Sequence, residues 1–365
     1  MTANLYALFA SRFPADRNKP CFILSDGTEI SYGALEDGTA RVARLLTTRG
    51  VAPGDRVVVQ TAKSPEAVML YLATLKVGAV FTPLNTAYTE AEVGYFLGDA
   101  EPKLVVRDAV ALFAEAKTLA LLDEVTPRSA DDLASLIYTS GTTGRSKGAM
   151  LTHGGLAANA QAVAGAWGYS NRDVLLHALP IFHVHGLFIA MHCALLHGAP
   201  MVWLAKFDDA AVLAGLKRAT VMMGVPTFYT RLLANQRFTR EAAAHMRVFV
   251  SGSAPLLEST FNEFADRTGH RILERYGMSE AIVITTNPLD GARVPGSVGF
   301  PLPGVELRIA GGETGGIEIR GPSLFKGYWR MPEKTAAEFT ADGFFITGDV
   351  GRQDTDCRVW ISGRA

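Results

Sequence analysis

The stretch YTSGTTGRSKG at residues 138–148 decides how the chain is read. It follows a short apolar run at 135–138 and precedes a helical pattern at 155–167. It is therefore expected at the carboxyl end of a buried strand, where open α/β sheets hold their ligands. Hydroxyls, glycines and one lysine crowd into this stretch. Glycines let successive backbone N–H groups turn inward as an anion nest, hydroxyls add donors or metal ligands, and a lysine adds a mobile positive charge. The expected occupant is a polyphosphate. The loop is not of the G-x-x-x-x-G-K-[ST] type, because Gly148 rather than Ser or Thr follows Lys147. A flexible linker with no ligand is the bland alternative.

Working outward, β-branched runs at 56–60, 78–81, 104–106, 135–138 and 174–177 alternate with helical stretches, which points to βαβ units and a largely parallel sheet. Ser64 before Pro65 reads as a helix N-cap, and Thr89 with Glu92 as a capping box. A second series has strands at 202–204, 220–224, 248–251 and 272–273, with helices at 208–218, 227–235 and 255–267. After Gly299 short strands at 305–309, 317–320, 344–346 and 359–361 come without helices of any length, and GGETGG connects the first two. The fold class is α/β: two doubly wound βα layers (1–170 and 171–298) packed together, with a small antiparallel β-barrel-like subdomain at 299–352.

Composition narrows the function classes. Of 365 residues 48% are hydrophobic and 19% charged, and 35 basic residues balance 36 acidic ones. No polybasic or polyacidic tract offers a nucleic-acid surface. Cys21, Cys193 and Cys357 lie far apart without CxxC spacing, so neither a disulfide framework nor a thiolate zinc site is written. The most apolar stretches, 68–84 and 187–204, are interrupted by Lys76, His192, His197 and Pro200, too short for a membrane span. The patch 5–10 is too short for a signal peptide, and a cytoplasmic enzyme is expected. His183 and His185, with His177 and His192 nearby, suggest a metal site, but no Asp or Glu lies between Asp173 and Asp208 to complete one.

The loop resembles the signature of the adenylate-forming acyl-CoA synthetases. Four more segments match that family in order: PIFHVHG (180–186), SGSAP (251–255), ERYGMSE (274–280) and FFITGD (344–349). Together with PTFYTR (226–231) and RVPGSVG (293–299), they are most similar to the malonyl-CoA synthetases. The resemblance implies a two-step reaction: ATP and a carboxylic acid give an acyl-adenylate and pyrophosphate, and coenzyme A then takes the acyl group and releases AMP. Positioning and electrostatics carry such chemistry, without a protein nucleophile.

Carried over residue by residue, Thr139, Ser140, Gly141, Thr142, Thr143, Gly144 and Lys147 hold the phosphates. Glu280, with Thr139, serves Mg²⁺. Gly252, Ser253, Ala254 and Pro255 wall the adenine on one side, and Glu274, Arg275, Tyr276, Gly277, Met278 and Ser279 on the other. Asp349 and Arg364 reach the ribose. Lys147, Thr139, Glu280 and His183 form the implied catalytic set, with His183 as the gate between nucleotide and acid. His185, Ser253 and Met278 line the acid pocket, and Arg231 clamps the distal carboxylate of malonate.

Small residues flank Glu280, Ser279 and Ala281, where the family often carries threonines, which opens the site to methylmalonate. The family continues beyond its hinge into a small mobile domain with a lysine that contacts the reacting carboxylate, and 353–365 reads as the stub of that hinge. Without that domain, adenylation is expected to be weak and thioester formation absent. The connections at 117–128 and 311–316 are shorter than usual for the family. A ligase for another short or aromatic carboxylate, and a non-catalytic nucleotide-binding module, are the competing functions.

Overall fold

A computed structural model describes residues 2–139 and 145–364. The chain opens with a short helix, Leu5–Ala10, and the hairpin β1 (Pro20–Leu24) and β2 (Glu29–Ser31). Five strands then form the first sheet: β3 (Arg56–Val59), β4 (Val80–Pro83), β5 (Leu104–Val106), β6 (Leu133–Thr139) and β7 (Lys147–Thr152). Their order is β5-β3-β4-β6-β7, parallel except for the antiparallel pair β6–β7. Val57, Val58 and Phe81 sit in the middle of this sheet and are buried on both faces, as parallel sheets require.

The connecting helices start where the sequence signals them. Ser64 accepts a hydrogen bond from the amide of Ala67 and starts Pro65–Lys76, while Thr89 and Glu92 bond reciprocally at the start of Glu90–Ala100. Every residue of Pro65–Lys76 except Glu66 is buried. Its Tyr71 packs edge-on against Phe81 of the first layer and hydrogen bonds through its hydroxyl to His192 Nε2 of the second at 2.8 Å. The two layers thus share one continuous apolar core.

The second layer is built from β8 (Leu175–His177), β9 (Met201–Trp203), β10 (Val221–Gly224), β11 (Val248–Ser251) and β12 (Leu273–Tyr276), all parallel. β1 pairs in parallel with β9, so Phe22, Ile23 and Leu24 belong to this sheet although they precede the first one in sequence. Beyond β12 come the antiparallel strands β13 (Thr285–Thr286), β14 (Ser297–Pro301), β15 (Glu306–Ala310), β16 (Thr314–Arg320), β17 (Phe345–Gln353) and β18 (Val359–Arg364). Among the described residues these do not close into a barrel. β15 remains an edge, and the order β15-β16-β17-β18-β14-β13-β12 runs directly into the parallel sheet.

One expectation needs correcting. The phosphate loop does not lie between a strand and a helix. Its flanks Thr139 and Lys147 face each other in the β6–β7 ladder, and the helix His153–Ala166 starts only after β7 with Thr152 as its N-cap. The physical reason is the near-alternating burial of Lys147–Thr152, a strand pattern that carries the chain away before it can coil. The N-terminus of the helix His153–Ala166 therefore does not directly follow the loop. Residues 140–144 themselves, which include the expected phosphate contacts Ser140, Gly141, Thr142, Thr143 and Gly144, lie outside the described residues.

Candidate active site

A cavity of about 600 Å³ opens where the carboxyl ends of both layers meet the small antiparallel sheet. From the expected site residues it collects Thr139, Lys147, His183, His185, Ser253, Arg275, Gly277, Met278, Ser279, Glu280 and Arg364. Gly252, Ala254, Pro255, Glu274, Tyr276, Asp349 and Arg231 do not line it. Alternation along β12 accounts for two of these: successive side chains point to opposite faces, so Arg275 reaches the cavity while Glu274 and Tyr276 face away. Glu274 is buried there, accepts a hydrogen bond from the Gly296 amide at 3.3 Å, and is raised by burial to about 7.

At the phosphate end Lys147 Nζ lies 2.9 Å from Glu338 Oε1 and 4.2 Å above the Tyr328 ring. The Tyr328 hydroxyl stands 2.8 Å from Glu338 Oε2 and 3.0 Å from Glu280 Oε1. A phenol has one proton to donate. Donated to Glu338, it leaves a lone pair facing Glu280, a favourable contact when Glu280 keeps its own proton. Burial pushes Glu280 upward in the same direction. Burial also opposes the charge on Glu338, but hydrogen bonds from Lys147, Tyr328 and Lys334 hold it below the usual carboxylate range. Neither Tyr328 nor Glu338 was expected from the sequence.

Among the described residues no three His, Cys, Asp or Glu side chains gather as a metal site. Glu280 and the Thr139 hydroxyl are hard oxygen donors at one side of the cavity. Such a sparse set fits Mg²⁺, which keeps several waters and takes its remaining oxygens from a bound polyphosphate.

On the nucleoside side the small sheet brings Asp349 and Arg364 together as register partners on β17 and β18. Arg364 Nε is 2.9 Å from Asp349 Oδ1, and the Tyr276 hydroxyl donates to Asp349 Oδ2 at 2.5 Å. This buried carboxylate is thereby aimed by one aromatic and one exposed arginine, next to the cavity rim formed by Thr347 and Gly348.

The acid end contains the least expected feature. Arg275 is only 4% exposed, yet among the described residues its side chain makes one hydrogen bond, from Nη2 to Ser253 Oγ at 3.2 Å, and its Nε has no partner. Burial alone pulls its guanidinium down to about 10. Buried arginines are ordinarily paired, because an isolated charge is expensive to desolvate. Gly252 makes room for it: a Cβ there would meet Arg275 Nε at 2.4 Å. Ser253 adopts a left-handed φ of +71°, a strain often stored at functional sites, and this sets its hydroxyl 3.4 Å from His185 Nδ1. His185 Nε2 has no partner, and burial holds both His185 and His183 below the ordinary histidine range. Arg231 is placed elsewhere. It is 53% exposed, pairs with Asp209 at 3.0 Å and lies over the Phe207 ring at 4.5 Å. The helix Pro226–Ala234 buries Tyr229, Leu232 and Leu233, which turns position 231 outward.

The sequence profile described as "AMP-binding enzyme" matches residues 9–329. The chain is a member of the AMP-binding enzyme family. Among its relatives is the malonate–CoA ligase of Arabidopsis thaliana, 34% identical over 94% of this chain and 67% of the relative. The ATP-bound structure of MatB from Rhodopseudomonas palustris superposes with a TM-score of 0.96 at 48% identity, covering 100% of this chain and 79% of MatB. A malonyl-CoA ligase ternary product complex with methylmalonyl-CoA and AMP bound gives 0.88 at 33% identity, covering 98% and 80%. This AMP-binding enzyme therefore spans about two thirds of the Arabidopsis ligase and four fifths of the two structures. Among its described residues no helix is long and apolar enough to cross a membrane.

Proposed function

We propose that this AMP-binding enzyme activates malonate, and methylmalonate with it. A malonate carboxylate oxygen attacks the α-phosphorus of ATP as the bond to the β-phosphate breaks and pyrophosphate leaves. The coenzyme A sulfur then attacks the acyl carbon, and AMP departs. The observation that carries the reading is Arg275, a buried guanidinium that no carboxylate among the described residues neutralises. A monocarboxylate would leave that charge uncompensated, whereas a second carboxylate can accept from it directly. With the Ser253 hydroxyl donating to His185 Nδ1, the neutral ring carries its hydrogen on Nε2, which stands ready as a further donor.

In this reading Arg275 takes the distal-carboxylate role, since Arg231 is already paired at the surface. Lys147 serves the phosphates, Asp349 and Arg364 the ribose, Glu280 the Mg²⁺ that neutralises the triphosphate, and His183 separates the two halves. Met278 and Ile189 add apolar lining, the kind of surface an added methyl group would contact. The relatives and structures with malonate and methylmalonyl in their names support the same acids. Isotope exchange between pyrophosphate and ATP tests the reading. Malonate and methylmalonate should drive exchange, with acetate and benzoate slower by at least tenfold, and faster exchange with either monocarboxylate would overturn it.

A further inference from the structure

A second buried cation without an acidic partner lies behind the acid end. Lys63 sits between β3 and the helix Pro65–Lys76 and reaches from the first layer into the second. Its Nζ donates to His177 O at 2.8 Å and to Leu204 O at 2.7 Å, at the carboxyl ends of β8 and β9. Its third contact is His177 Nδ1 at 2.8 Å, and the Trp203 ring lies 4.2 Å away. Among the described residues no carboxylate pairs with it, and burial pulls its ammonium well below the ordinary lysine value, so only the hydrogen bonds it donates favour the charge. On its other side the His177 ring donates from Nε2 to Gly186 O at 2.9 Å.

Burial pulls both Lys63 and His177 toward neutrality, but a hydrogen count of their contacts favours one positive charge on the pair. The carbonyls of His177, Leu204 and Gly186 only accept, so each takes a hydrogen from Lys63 or His177. The Nζ–Nδ1 contact needs one more hydrogen between the two nitrogens. A neutral lysine and a neutral imidazole hold one hydrogen too few, so the pair carries one extra proton, whichever nitrogen holds it. The peptide it grips is itself fixed, because a Cβ on Gly186 would meet Pro180 O at 2.0 Å, and the preceding residue is His185.

We propose that Lys63 and His177 are positioning residues that share one proton, hold the His185–Gly186 peptide in place, and make the acid end electropositive enough to select dianionic over monoanionic acids. The proposal deepens the malonate reading and rests on it. Neither residue lines the cavity, so both act through His185 and through the field. Arg275 then lines the cavity and the Lys63–His177 pair lies behind the His185–Gly186 peptide, with no carboxylate paired to either among the described residues.

Calorimetric titration of malonate, acetate and ATP into wild type and Lys63→Met is the test. The expected result is a malonate Kd raised about tenfold or more, with the ATP and acetate values within twofold and partial recovery in Lys63→Arg. Unchanged malonate binding, or equal losses for malonate and ATP, would overturn it. Should Lys63→Met not fold, nitrogen-15 NMR of histidine in the wild type decides instead. A protonated Nε2 with a hydrogen-bonded Nδ1 at His177 is expected, and a bare Nε2 overturns the proposal. Wild type that binds no malonate while His177 shows the expected protonation sinks the malonate reading, not the proton-sharing pair.

Discussion

Replacing Arg275 by Met should move stability and malonate binding in opposite directions. Burial pulls the Arg275 guanidinium down to about 10. At ~1.4 kcal/mol per pH unit, keeping it charged costs the fold about 3 kcal/mol. The sign follows from the folded value lying below the unfolded one: at pH 7 to 8 both states are protonated, and the charge opposes folding in full. Met keeps the length of the stem and removes the charge, so the melting temperature of Arg275→Met should hold or rise by a few degrees. Malonate should lose a buried charged partner, a loss of roughly 2–5 kcal/mol, or about 30-fold to several-thousand-fold in Kd. Differential scanning fluorimetry and calorimetry read both quantities, with ATP affinity as the control. Malonate binding within threefold of wild type would refute the assignment. A large fall in stability together with loss of ATP binding would make Arg275 a structural residue instead.

Glu338→Gln removes the carboxylate that holds Lys147 in the absence of nucleotide. The ATP Kd should fall about threefold or more, and weaker ATP binding would show that Glu338 helps rather than competes. Asp349→Asn weakens the acceptor aimed by Tyr276 and Arg364. It should raise the ATP Kd at least tenfold with malonate affinity in the apo protein unchanged; equal losses for both ligands would place Asp349 in the framework. Glu274 is raised by burial from an ordinary 4.5 to about 7. The folded protein then keeps a proton that the unfolded chain has released, so stability should fall as pH rises through that window, by about 3 kcal/mol in all. Glu274→Gln should flatten the difference in urea stability between pH 5.5 and 8, and an unchanged slope would assign it to another group.

What was legible in the sequence is what local chemistry determines. The caps at Ser64 and Thr89 and the β-branched runs of both layers fall where their patterns put them. The phosphate loop's setting was misread because six residues of β7 are too few to stand out between a glycine-rich segment and a long helix. Pairing between β1 and β9 joins residues about 180 positions apart, and no local signal reports it.

The different settings of Arg231 and Arg275 have a similar origin. Both are arginines in matching segments, and only the alternation of β12 against the outward face of the helix Pro226–Ala234 separates them. Lys63, Tyr328 and Glu338 gain their meaning wholly from partners distant in sequence: His177, Glu280 and Lys147.

In the proposed reading the acid pocket is built for two carboxylates. Titrating malonate, acetate and benzoate by calorimetry into the ATP-saturated protein addresses it most directly. Malonate should bind at least tenfold tighter than either monocarboxylate, with the preference abolished in Arg275→Met. Acetate or benzoate binding as tightly as malonate, or a preference that survives the substitution, would contradict it.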